Sequence, residues 1–259
     1  MFLADFHIHS IFSDGTLSIP EIVDYYGERG FGAIAITDHL CENKSTLGKA
    51  SAYLGCTLTM ATFPLYLEIL KSEAERAWDR YKMKVITGVE FTKNSISNHR
   101  SAHVLALGIT DFISANLDIP DLIKATHAQG GIAVAAHPVW TQKIEKQTFH
   151  LWSRREELGN LFDAWEVASG PYIFDKVKNS GLPMLANSDF HKQSHMTSWK
   201  TAFNCEKNEE AMLNAVKKQT IEFHYYQEAK PYGNILGHAP SSSLVSGYRN
   251  YGSRDVVFT

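Results

Sequence analysis

The sequence predicts an α/β protein whose largely parallel sheet closes, or nearly closes, into one barrel. Two observations carry this reading. Short apolar runs alternate with amphipathic stretches seven or so times along the chain, the order expected of repeated βα units. Polar residues that bear chemistry gather where those runs end, and barrels and open parallel sheets keep their sites at the carboxyl ends of strands. A chain of 259 residues suffices for one barrel or for two smaller domains. The unbroken alternation, with no internal repeat, points to one.

In residues 2–9, the first strand, Phe2, Ala4, Phe6 and Ile8 share one side and Leu3, Asp5, His7 and His9 the other. The apolar set suits packing on outer helices, and the other ends in two imidazoles pointing the same way. Ser18-Ile-Pro-Glu21 is a capping box with Pro20 in the first turn. It opens an amphipathic helix closed by Gly30 or Gly32. "AIAITDH" (33–39) is the second strand, and residues 61–84 carry helical spacing at Leu65, Ile69, Ala77 and Tyr81. "KVITGVEFT" (84–92) and "AHVLALGI" (102–109) are strands. "IPDLIKATHAQGG" (119–131) is a helix ended by glycines, and "IAVAAHP" (132–138) a strand stopped by proline. "FDAWEVA" (162–168), a helix through about Asn179, "PMLANSDFH" (183–191), "TAFNC" (201–205), a helix near 208–218 and "TIEFHYY" (220–226) complete the series.

Two segments break the rhythm. Residues 40–60 form a long polar stretch directly after the second strand, read as a lid-like insertion in a barrel of residues 1–229. Residues 230–259 lose apolar periodicity and form a tail, docked or disordered.

A net charge of −3 makes no electrostatic case for wrapping long nucleic acid. Cys41, Cys56 and Cys205 are too few and too far apart for a disulfide framework, which fits a reducing compartment. No leader or long apolar span is visible, so the expectation is a cytoplasmic protein without a membrane partner.

Five predicted strands end in residues able to bind metal: His7 with His9, Asp38 with His39, Glu90, His137, and Asp189 with His191. His103 stands at the start of its strand, in conflict with an all-parallel arrangement. Singly, each reads as a hydrogen-bonded buried group. Together they point to a polynuclear metal centre, because unrelated buried histidines would each need a separate partner to offset desolvation.

The segments "HIHSIFSDG", "ITDH", "GVEFT", "AHVLALGI", "AAHP" and "NSDFH", in that order, resemble the motifs of the PHP family, named for polymerase and histidinol phosphatase domains. The resemblance covers about residues 5–191. It implies a distorted seven-stranded (β/α)7 TIM-like barrel, two or three divalent metal ions, and phosphoesterase activity. By matching motif, His7 and His9 share one metal with Glu90 and Asp189. Glu90 bridges to a second bound by His103 and His137, and Asp14, His39 and His191 surround a third position. Many members have a histidine where this chain has Asp14. Asp38 is expected to orient a ligand.

The mixed nitrogen and oxygen donors suit Mn²⁺, Fe²⁺ or Zn²⁺. Paired metals about 3.5–4 Å apart activate water and hold phosphate oxygens. Glu90, Asp189, His191 and His9 are the catalytic candidates, with His191, Asp189 or His9 as the acid for the leaving group. The expected substrate is a small phosphomonoester, such as a nucleotide or nucleoside bisphosphate. Alternatives are histidinol phosphate, the 5′ end of short oligonucleotides, or a metal-stabilised module without catalysis. Arg100, Arg154, His195 and Lys200 are candidate substrate contacts, each with a rival reading as an ordinary surface group. Oligomeric state is left open.

Overall fold

The computed structural model of the protein describes residues 1–44, 46–94, 101–139 and 149–228. The chain begins with β1 (Phe2–Asp5), α1 (Ile19–Gly27), β2 (Ala33–Ile36), β3 (His39–Cys41), α2 (Thr46–Tyr53), α3 (Phe63–Tyr81), β4 (Lys84–Lys93) and β5 (Ala102–Leu107). It continues with α4 (Ile119–Ala128), β6 (Ile132–Ala135), α5 (Phe149–Ser153), α6 (Arg155–Leu158), β7 (Ala164–Ser169) and β8 (Tyr172–Ile173). The last elements are α7 (Asp175–Lys178), β9 (Met184–Asn187), β10 (Ser198–Phe203), α8 (Glu209–Lys218) and β11 (Ile221–Tyr226). The capping box at α1 forms as expected, with Glu21 accepting from the Ser18 N–H at 2.8 Å.

The sheet is mixed rather than largely parallel. β1, β2 and β4 run parallel, as do β6, β7 and β9, but β5 is antiparallel to both β4 and β6. This reversal resolves the anomaly at His103. A strand running backwards starts at the end where its neighbours finish, so His103 pairs with Thr92 near the end of β4. β10 and β11 add an antiparallel pair beside β1. The sheet curls until the residues after β1 meet those after β9. There Ile8 bridges Phe190, the His9 N–H donates to Phe190 O at 2.7 Å, and the Phe190 N–H donates to His7 O at 3.0 Å.

Both faces of the sheet are buried, which explains the near-continuous apolar runs. Leu3, Ile34, Ile36, Val104 and Ala106 pack with α1, α3 and α4. Phe2, Ala4, Phe6, Ala33, Leu105 and Leu107 pack with Met212 and Val216 of α8. The expected alternation through residue 9 breaks after Asp5. Ile8 joins Leu3's cluster rather than Phe6's, and Asp5 accepts from Tyr26 of α1 at 2.8 Å while His7 reaches Glu90. The cause is local: β1 ends at Asp5, and the Phe6 N–H donates to the Asn187 side chain instead of to a neighbouring strand.

One further expectation gains detail and another changes. Residues 40–60 contain α2 and are tied down, since Thr57 Oγ1 donates to His39 O at 2.9 Å and accepts from the Cys41 N–H at 2.8 Å. Lys200 is no substrate contact. It lies in β10, wholly buried, with its ammonium 2.9 Å from Asp5. The tail at 230–259 lies outside the described residues. Among the described residues, no helix is long and apolar enough to cross a membrane.

Candidate metal centre

The curl brings the ends of several strands to one place. His7 and His9 follow β1, His39 opens β3, Glu90 lies in β4, His103 in β5, and His137 follows β6. Asp189 and His191 follow β9, and Asp14 sits on the loop between β1 and α1. His7, His9 and Glu90 are completely buried. The donor atoms form four overlapping clusters: His7–His9–Glu90, His7–His137–Asp189, His39–Glu90–His103 and His9–Asp14–His39–His191. All nine predicted metal-binding residues therefore converge. The grouping differs from that expected: His137 and Asp189 fall together with His7, His39 joins Glu90 and His103, and His9 joins Asp14, His39 and His191, although His137 Nε2 is also 3.2 Å from Glu90.

Glu90 sits at the centre. One oxygen lies 3.0 Å from His103 and 3.4 Å from His7, and the other 2.7 Å from His39 and 3.6 Å from His9. Asp189 lies 3.4 Å from the Nε2 atoms of both His7 and His9. Asp14, at the more open edge, is 3.3 Å from His191 and 3.5 Å from His39. Burial opposes the charged form of Glu90, yet His103, His39 and His7 outweigh it and hold the carboxyl well below its usual range. Asp189 is lowered likewise: burial opposes, and His7 and His9 prevail. His9 is pulled down to about 3, first by burial and then by His39 and His191. His7, His39, His137 and His191 go the other way: burial opposes their charged forms, but the neighbouring carboxylates outweigh it and hold them up, His137 to about 9, so binding a metal would release protons from these imidazoles.

The residues pass a further test of fit. His7 Nε2, His9 Nε2 and Glu90 Oε2 are buried and make no well-aligned hydrogen bond, Glu90 Oε2 meeting only the close ion-pair contact with His39. Buried polar atoms are rarely left so, and three that face one another fit a shared cation.

The surroundings hold these groups in place. Asp38 accepts from the Ser10 N–H at 2.8 Å and from the hydroxyls of Ser10 and Ser13 at 2.6 Å, which shapes the loop carrying Asp14. A Cβ at Gly15 would lie 2.2 Å from His9 O, so only glycine lets that loop close over His9. His137 and Asp189 have left-handed backbones, φ 27° and 54°, conformations that cost non-glycine residues about 1–3 kcal/mol each and collect at functional sites.

Of the predicted substrate contacts, only His195 stands beside the cluster, its ring centroid 5.9 Å from that of His191 and its Nδ1 accepting from the His191 N–H at 3.3 Å. Arg154 is held in an ion pair with Glu157 at 2.5 Å, one turn along the helix. Arg100 lies outside the described residues. Sequence reasoning missed Asn94, whose side-chain oxygen is 3.2 Å from His103 Nε2, and Glu166, buried and 2.9 Å from His7 Nδ1. Glu166 had a signal, being the one charged residue inside the apolar run of β7.

A fold comparison finds a similar solved structure in a two-domain protein from Bacteroides vulgatus, described as containing a predicted PHP-like metal-dependent phosphoesterase. It is 20% identical, with a TM-score of 0.64, and the match covers 87% of this chain. This chain spans 65% of that protein's length. An amidohydrolase from Chromobacterium violaceum, solved with bound sulfate and no metal, is 19% identical, with a TM-score of 0.45, over 73% of this chain and 87% of its own. No curated protein matches the sequence significantly. The sequence profile of the PHP domain matches residues 5–237, which takes in every residue of the cluster. A likeness spanning nearly the whole chain leaves no separate origin for site and scaffold: this chain belongs to the PHP domain family.

Proposed function

We propose that the protein hydrolyses a small phosphomonoester, such as a nucleotide or nucleoside bisphosphate, with two or three divalent ions of the Mn²⁺, Fe²⁺ or Zn²⁺ class. The observation that carries this is the trio of buried atoms on His7, His9 and Glu90 that make no well-aligned hydrogen bond. His7, His9, Glu90 and Asp189 would hold one ion, Glu90 with His103 and His137 a second, and Asp14, His39 and His191 a third. Bound ions would supply Lewis-acid polarisation of the phosphoryl group and a nucleophilic water at neutral pH.

The chain's own part is arrangement and proton transfer. Glu90, which lies within 3.6 Å of His7, His9, His39, His103 and His137, sets the spacing of the imidazoles around it. His191 lies on the more open side, its side chain about a quarter exposed, where an alkoxide leaving group would collect a proton, and the ionised Asp189 stands 3.5 Å from its ring. Among the described residues, Arg154 and Lys200 are paired with carboxylates, and the ions and the site imidazoles are the groups placed to meet the substrate's charge. A compact phosphate ester suits such a site better than an extended polyanion, which needs rows of free cations.

The test is phosphate release from a panel of nucleoside monophosphates, nucleoside bisphosphates, histidinol phosphate and 5′-phosphorylated trinucleotides. Metal-loaded protein should release phosphate from one or more small monoesters, and Glu90→Gln should abolish it. Intact esters throughout would overturn the proposal.

A further inference from the structure

Glu166 lies inside β7 with none of its surface exposed, and it belongs to none of the four donor clusters. Three donors converge on its two oxygens. Oε1 is 2.9 Å from His7 Nδ1 and 2.9 Å from Asn187 Nδ2, and Oε2 accepts from the His137 N–H at 2.7 Å. The Asn187 orientation is fixed independently, because its Oδ1 accepts from the Phe6 N–H at 2.9 Å and a backbone N–H can only donate. Its NH2 must then face Glu166.

A carboxylate that accepts on both oxygens meets all three groups at once, with His7 donating from Nδ1. The arrangement has a consequence for His7. With Nδ1–H directed at Glu166, the lone pair of neutral His7 is on Nε2, the atom that points unpartnered toward Glu90 and Asp189. The same carboxylate grips the backbone N–H of His137, whose φ of 27° is unfavourable without such support. Glu166 thus touches two candidate ligands from behind while reaching no cluster itself.

We propose that Glu166 is a positioning residue of the metal centre, which sets the tautomer of His7 and the backbone of His137 so that both can bind metal. This rests on the metal-binding reading of the site. Glutamine in its place keeps the shape but must turn an NH2 toward one of the three donors. Turned toward Oε1's partners it forces the proton of His7 onto Nε2, and turned the other way it opposes the His137 N–H.

The test is a double-mutant cycle read as metal affinity, using Mn²⁺ titrated into metal-stripped protein by calorimetry. Glu166→Gln should weaken the tightest binding by about 10–100-fold, the scale of a lost outer partner of a ligating histidine. In a His7→Asn background the same substitution should add much less, since part of its effect passes through His7. In Zn²⁺-loaded protein, imidazole ¹⁵N NMR should show His7 bound through Nε2 with a proton on Nδ1, and Glu166→Gln should lose that pattern. Glu166→Asp, an acceptor on both oxygens but shorter, should recover part of the affinity if Glu166→Gln folds poorly. Should His7→Asn leave metal binding intact, the metal-binding reading itself fails. If His7→Asn weakens binding while Glu166→Gln and Glu166→Asp leave it at the native value, only the role of Glu166 is overturned.

Discussion

At the scale of single residues, Asp14 differs in kind from its neighbours. Its side chain is 45% exposed, whereas His9 beside it is completely buried, and it reaches the cluster from a loop rather than a strand. Burial raises its carboxyl, but His191 and His39 outweigh that and hold it well below the usual range. An ion bound there would have the most open shell. Asp14→Ala should therefore weaken that ion by about tenfold or more, a loss at least as large as that of an outer partner. The other two ions should remain. Metal counting on the variant, with turnover measured beside it, checks this, and loss of all metal or unaltered turnover would show that Asp14 has another role.

Lys200 presents the opposite case, a charge removed from water to serve structure. It lies 2.9 Å from Asp5, which also accepts from Tyr26 and from the Ser188 backbone N–H at 3.0 Å. Lys200→Met should cost about 3–5 kcal/mol, because the buried Asp5 would lose its one cationic partner. An unchanged urea midpoint would contradict that. The sequence could not reveal this role, since a lysine just after a loop reads as solvated and lysines are almost never fully buried without a partner. His7 and His9 were legible because two polar side chains interrupt an apolar run within a recognisable motif. Glu166 was visible as a lone charge in "FDAWEVA", but its three donors come from residues 7, 137 and 187, which only the fold brings together.

At the scale of elements, apolar periodicity located the longer strands and helices, because burial on both sheet faces gives such runs a clear outline, but not the short β3, α5, α6 and β8. Periodicity carries no information on strand direction, so β5 was expected to run with its neighbours. The awkward position of His103 was the one trace of its reversal. In the 40–60 segment, polar composition concealed α2. That segment is bonded to the backbone of His39 through Thr57 and through the Leu58 N–H at 2.7 Å. We therefore expect it to act as a substrate-selecting lid. Replacing residues 46–53 with a short glycine-serine linker should change the ranking among phosphate esters severalfold while metal content stays near native. A phosphate-release panel with an unchanged ranking would make it a surface segment only.

At the scale of the whole molecule, the curl of the mixed sheet builds the centre. Donors separated by as many as 184 positions, from His7 to His191, meet because the residues after β1 and β9 are hydrogen-bonded to each other. The site is therefore assembled by tertiary structure, and the atoms of His7, His9 and Glu90 left without a well-aligned hydrogen bond give it a strong need for cations. The most direct measurement is a reconstitution titration. Metal-stripped protein should show no phosphomonoesterase activity, and activity should rise with added Mn²⁺ to a plateau once at least two ions are bound per chain. Full activity in the stripped protein, or stoichiometric binding that never restores hydrolysis, would contradict the account.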